Sequence, residues 1–255
     1  MFDSTIPFGE PELMRASSYR QYLPGQLGGY SNSVMSESLA TLSPSLVADL
    51  RRVEFDQRRF EPLDVLTACL RHAQAVTVHL QCGDRAVPLT VFPRERQLHC
   101  PLRIADLLTQ RKPDLQVMHV EPALMRALKE SDVGPGRTGE ASFPDLGFYP
   151  LGPMLWELAL NGSRSELLPE IAGPAVYRVS LGFELGGIQL SGALMSAVYR
   201  LRRGSCQLRE MATWPGLDRE RAERLLNALY LQSGLIVSRS HPDVIGESWF
   251  SGLGR

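Results

Sequence analysis

Residues 75–100 read AVTVHLQCGDRAVPLTVFPRERQLHC. Apolar residues alternate at Val76, Val78 and Leu80, Gly83-Asp84 supply a tight turn, Val87, Leu89 and Val91 resume the alternation, and PRER precedes a short run at Leu98. A period of two sets one group of side chains on one face of a pleated ribbon, so the stretch predicts three antiparallel strands. Pro88 cannot donate a ladder hydrogen bond, which places the second strand at an edge or a bulge.

On either side the pattern changes. Leu39, Leu42, Leu46, Val47 and Leu50 recur at helical spacing, with Pro44 after Ser43 marking a fresh helix start, and Leu63, Leu66, Cys69 and Leu70 share one face of a second helix over 62–72. Downstream, IADLL (104–108) predicts a short helix and LQVMHVEP (115–122) a fourth strand. Helices layered on a mainly antiparallel sheet give an α+β domain over 35–129. Residues 1–34, interrupted by Pro7, Pro11, Pro24 and the run GQLGGYSNS, predict an irregular arm. The Gly-, Pro- and acid-rich stretch ESDVGPGRTGEASFPDLG (130–147) predicts a domain linker. A connecting segment follows over 148–187, with a helix at 153–161 and a strand within AVYRVSLGFEL.

Residues 188–241 have a second, helical rhythm. Leu194, Val198 and Leu201 give a first helix, RRGSC a turn, Leu208, Met211 and Ala212 a second helix, and WPGLD a break. A longer third helix follows, RERAERLLNALYLQ, striped by Ala222, Leu225, Leu226 and Leu229; Gly234 ends it and LIVSRS reads as a strand. This order, with an Arg/Gly turn before the short Leu208-Arg209-Glu210-Met211-Ala212 helix, resembles the winged-helix superfamily, in particular modules appended to bacterial regulatory proteins. The resemblance implies a C-terminal winged-helix-like domain whose third helix, in DNA-binding relatives, enters the major groove. Arg219, Arg221, Arg224 and Asn227 are then the candidate contacts. The interleaved Asp218, Glu220 and Glu223 would oppose phosphate. Eight arginines against four acids across 188–241 leave a local excess of +4. DNA binding requires Arg219, Arg221 and Arg224 to join Arg200, Arg202, Arg203 and Arg239 in one exposed basic face. Beyond lies a tail, 242–255, whose Trp249 and Phe250 are candidate partner contacts.

Composition bounds the function. The chain has 255 residues, 44% hydrophobic and 22% charged, and a net charge of −1, so it carries no protein-wide basic field for nucleic acid or anionic membrane. No apolar run reaches a membrane-spanning length, and the opening MFDSTIPFGEPELMR lacks a basic start before an apolar stretch, which predicts a cytoplasmic protein with no membrane partner. Four cysteines, three in apolar or strand-like runs, fit reduced thiols. Cys69-x-x-His72 and His79-x-x-Cys82 have ligand-like spacing, yet an odd separation on a strand points His79 and Cys82 to opposite faces, so neither a metal nor a cofactor is expected. Asp64 and His72, two helical turns apart, form no relay, and no G-x-S-x-G, P-loop, GxGxxG or HExxH is present. These observations predict a non-enzymatic regulatory or adaptor protein that binds protein partners through both modules, compatible with homo-oligomerisation. The alternative is a transcriptional regulator that applies the winged helix to DNA.

Overall fold

The computed structural model describes residues 13–26, 42–57, 61–109, 115–127, 146–185, 188, 190 and 192–239. They form two compact units divided between Arg164 and Ser165. The protein is mixed α+β, with a large antiparallel sheet and helices.

The first unit contains α1 (Ala16–Gln26), α2 (Pro44–Gln57), α3 (Pro62–His72), β1 (Val76–Cys82), β2 (Arg85–Phe92), β3 (Gln97–His99), α4 (Ile104–Thr109), β4 (Gln116–Pro122), β5 (Phe148–Pro150) and α5 (Leu151–Asn161). Its five-stranded sheet runs β4-β1-β2-β3-β5, every neighbouring pair antiparallel. The alternation read from the sequence sets the register: Val76 faces Val91 and Val78 faces Leu89, and all four are fully buried. Gly83, at φ +61°, turns the chain between the paired Cys82 and Arg85. The helix α3 packs against α2 and α5, with Leu66, Leu151, Met154 and Leu155 almost wholly enclosed. Residues Pro62 through Cys69 of α3 are all buried, so polar members of that run need partners inside the unit. Asp64 finds Arg164 at 2.7 Å and the Thr67 hydroxyl donates to Leu63 O at 2.7 Å.

Pro88 sits in a strand that lies between two others, yet its missing donor is accommodated. Ala86 N donates to Met14 O, away from β1, and Pro88, two residues on, turns its ring nitrogen to that same flank. There β3 pairs only with Thr90, Val91 and Phe92, so Pro88 interrupts no ladder bond.

Three features depart from the sequence reading. Where an irregular arm was expected over 1–34, residues Ala16–Gln26 are helical, and the segment is tied to the β1–β2 hairpin by Ala16 N donating to Asp84 O at 2.6 Å and by a bridge between Arg15 and Arg85. Its anchor is backbone pairing to a distant hairpin, which leaves no periodic trace in the local sequence. The stretch from residue 148, expected to connect two domains, instead opens with β5, which pairs with β3 in the first unit's sheet. Gly147 permits that approach: at φ +73° it accepts from Cys100 N at 2.8 Å, and a Cβ there would lie 2.7 Å from Cys100 O. The stretch 130–147, expected as a linker, thus falls in sequence between two strands of one sheet, and the division between units comes after α5. Residues 130–145 are outside the described residues, as is the tail 242–255.

The second unit contains β6 (Val176–Val179), α6 (Gly192–Arg203), β7 (Cys206–Gln207), α7 (Leu208–Met211), α8 (Arg219–Leu231) and β8 (Leu235–Ser238), with a three-stranded antiparallel sheet ordered β7-β6-β8. Asp218 caps α8 by accepting from Arg221 N at 2.8 Å. The helix ends through Ser233, at φ +58°, and Gly234 N donates to Leu229 O. Gly234 is needed for space, since a Cβ there would meet the Phe183 ring at 2.5 Å. Among the described residues no helix is long and apolar enough to cross a membrane.

Candidate functional site

α8 carries four of the candidate contacts, and its burial decides what they can touch. Ala222, Glu223, Leu225, Leu226, Asn227, Ala228, Leu229 and Leu231 are all buried, so beyond its first turn the helix has almost no solvent face. Asn227 is 0% exposed. Its Oδ1 accepts from Leu168 N and its Nδ2 donates to Glu166 O, both at 2.9 Å, so it staples the 166–168 segment to α8 rather than lining an outer surface. Arg224, expected to point outward, has a side chain only 14% exposed and donates to Glu220 at 3.0 Å. Arg221 is exposed and turns back to Gly216 O at 2.7 Å. Arg219 stands furthest out, 76% exposed, while its Nε holds the nearly buried Glu223 at 2.9 Å.

Of the remaining arginines, Arg203 is exposed and the other three have local partners. Arg200 lies over the Trp214 ring at 5.0 Å, Arg202 donates to Phe183 O at 2.6 Å, and Arg239 donates to Glu170 O and Ala172 O. Each is committed to its own local partner. Trp249 and Phe250 lie outside the described residues. Phe148, Tyr149 and Trp156, aromatic residues of Gly/Pro-flanked sequence, are buried parts of the first unit's core.

Arg219 does border a groove. A cavity of about 570 Å³ opens between the Gly173–Val176 segment and the start of α7, with Pro174, Val176, Leu208 and Ala212 as apolar walls and Arg209 and Arg219 as cations. A second cavity, of about 640 Å³, shares Gly173, Pro174, Leu208 and Arg219 and carries on to Glu166 and Glu223. The shared residues join them into one trough inside the second unit, with a mixed apolar and charged lining. The sequence picked out Arg219 and missed Gly173 and Pro174, which give no periodic signal and are brought near α7 by the β6–β7 pairing.

In the first unit the ligand-spaced cysteines and histidines go separate ways. Cys69 is fully enclosed and burial pushes its thiol up to about 12, which disfavours the thiolate that binds metal. His79 stacks on Tyr19 at 4.8 Å and meets Glu121 at 2.8 Å. His72 joins a group that sequence reading missed. Its Nε2 lies 2.6 Å from Asp49 Oδ2, its Nδ1 lies 3.2 Å from Ser45 Oγ, and Arg71 reaches the same Asp49 oxygen at 2.8 Å. Asp49 is held below the ordinary carboxylate value: partial burial acts to raise it, and the hydrogen bond from His72 and the Arg71 charge outweigh that. The one available signal was the four-residue step from Ser45 to Asp49, which sets both on the same face of α2. Asp64, the carboxylate weighed against His72 from sequence, is instead paired with Arg164.

Compared with family models, with curated proteins and with solved structures, the chain shows no significant match.

Proposed function

We propose that this chain is a regulatory or adaptor protein whose second unit, winged-helix-like in the order α6, β7, α7, α8, β8, receives a protein partner at the groove bordered by Arg209 and Arg219. The observation that carries this reading is the burial of α8 beyond its first turn, which leaves little free helix face to lay in a major groove, beside a trough of mixed apolar and charged lining. A partner segment with apolar side chains and a carboxylate matches that lining: Pro174, Val176 and Leu208 take the former, the two arginines the latter. The near-neutral chain charge agrees with it. So does the sheet, in which β8 pairs with the upstream β6, a departure from a wing built wholly after the third helix.

The transcriptional alternative rests on the exposed guanidiniums of Arg219 and Arg221 at the start of α8. Fluorescence anisotropy with a random duplex separates the readings. At near-physiological salt the chain is expected to bind no more tightly than the ~10⁻⁴ to 10⁻⁶ M of non-specific association. Much tighter binding that weakens with a log–log salt slope of about −0.9 per phosphate, and is abolished by Arg219→Ala/Arg221→Ala, would replace the adaptor reading with the transcriptional one.

A further inference from the structure

Ser45, His72 and Asp49 form a hydroxyl–imidazole–carboxylate chain assembled from two helices, and we propose that it is a nucleophilic acyl-transfer site that hydrolyses small carboxylic esters. The link from Ser45 Oγ to His72 Nδ1 is 3.2 Å and that from His72 Nε2 to Asp49 Oδ2 is 2.6 Å. An ionised Asp49 requires the proton of the neutral ring to sit on Nε2, where it donates to the carboxylate. Nδ1 is then left as an acceptor facing the Ser45 hydroxyl, the disposition a general base needs. The use of the two ring nitrogens is the reverse of that in chymotrypsin-type triads, but the roles of acceptor and oriented donor are the same. Arg71, on the same Asp49 oxygen, holds that carboxylate ionised and in place.

The surroundings suit a carbonyl substrate. Ser45 is the second residue of α2, a helix of 14 residues, so the positive end of its dipole lies beside the hydroxyl where negative charge would develop, although the Leu46 and Val47 amides already donate to Ser43. Beside the triad, Ser43 and His72 line an open cavity of about 700 Å³ with Leu42, Phe92 and Met125 and with the charged Arg94, Glu95 and Arg126; Ser45 itself is not among its lining residues. The apolar residues of that lining fit the short acyl group of an ester.

The step balances with water as the only co-reactant. Ser45 Oγ attacks the carbonyl carbon as its proton passes to His72 Nδ1; the ester C–O bond breaks and the leaving alkoxide takes that proton. Water then gives a proton to His72, attacks the acyl-Ser45, and releases the carboxylic acid as the serine oxygen recovers its proton. Asp49 stays ionised throughout and acts as a positioning residue.

Full-length protein treated with a fluorophosphonate probe is expected to carry one adduct, mapped by peptide mass spectrometry to Ser45. Hydrolysis of 4-nitrophenyl butyrate is expected to fall by about 10²-fold or more in Ser45→Ala, whose exposed side chain leaves the fold intact, and to fall in Asp49→Asn with the same labelled residue. No adduct on the wild type, an adduct that persists in Ser45→Ala, or ester hydrolysis unchanged by that substitution would overturn the proposal and leave Ser45, His72 and Asp49 as a polar clasp between α2 and α3.

Discussion

Asn227 shows how far a single residue can depart from what its type suggests. A polar side chain beside the stripe of Leu225, Leu226 and Leu229 reads as outward-facing, and nothing local to it says otherwise. Its partners, Glu166 O and Leu168 N, lie about sixty residues earlier in the sequence. The burial is therefore a tertiary fact. Replacing Asn227 with Ala leaves a buried N–H and a carbonyl without partners, and the expected loss is about 2–3 kcal/mol in urea unfolding of the whole chain; a change within experimental error would return Asn227 to the surface. The cysteines were more legible, because thiols in apolar runs are usually enclosed. Burial pushes Cys69 up to about 12 and both Cys100 and Cys206 up to about 11, while Cys82 is only half-buried. Titration of the native protein with a thiol reagent at pH 8 is expected to modify Cys82 first, the other three reacting only as the protein unfolds. Early modification of Cys69 would contradict its placement.

Among the elements, α3 and the β1–β2 hairpin were read closely from sequence, since their periods of 3.6 and two were uninterrupted and a Gly-Asp turn fixed the register. β5 and β7 were missed. Strands of three and two residues are too short to show alternation, and they exist only because β3 and β6 offer them ladder partners. The β1–β4 seam carries a consequence for pH. His119, opposite His79 in the register, has its pKa lowered chiefly by burial, with the neighbouring His79 acting in the same direction and Glu121 against it. His99 on β3 is likewise lowered by burial. A histidine less basic in the folded state than in the unfolded one contributes stability that is fully present above its unfolded value, near 6.5, and lost as pH falls through its folded value. The melting temperature is therefore expected to drop between pH 7.5 and 5, and to drop less in His119→Gln; an equal drop in both proteins would remove His119 from the cause. The lowered Asp49 acts in a separate window, below about 3.8, where protonation ends its pairing with Arg71 and His72.

At the scale of the whole molecule, the chain divides after Arg164, whereas the sequence reading put a linker at 130–147. Gly, Pro and acidic residues mark a break in periodicity, and a break in periodicity is as compatible with a long connection between strands as with a domain linker. Because β4 and β5 belong to one sheet, a protease site introduced at residue 137 is expected to give a nicked chain whose two pieces co-elute in native size-exclusion chromatography and part only in denaturant. Separation without denaturant would restore the linker. The proposed partner binding rests on the groove of the second unit. The most direct test is photo-crosslinking in cells of the native host, with a benzophenone amino acid at position 209 in the groove wall and at exposed Arg51 as a control. Our reading predicts a discrete adduct from position 209 that is sensitive to protease, resistant to nuclease and lost when Leu208→Asp is added. A nuclease-sensitive adduct, or equal crosslinking from both positions, would contradict it.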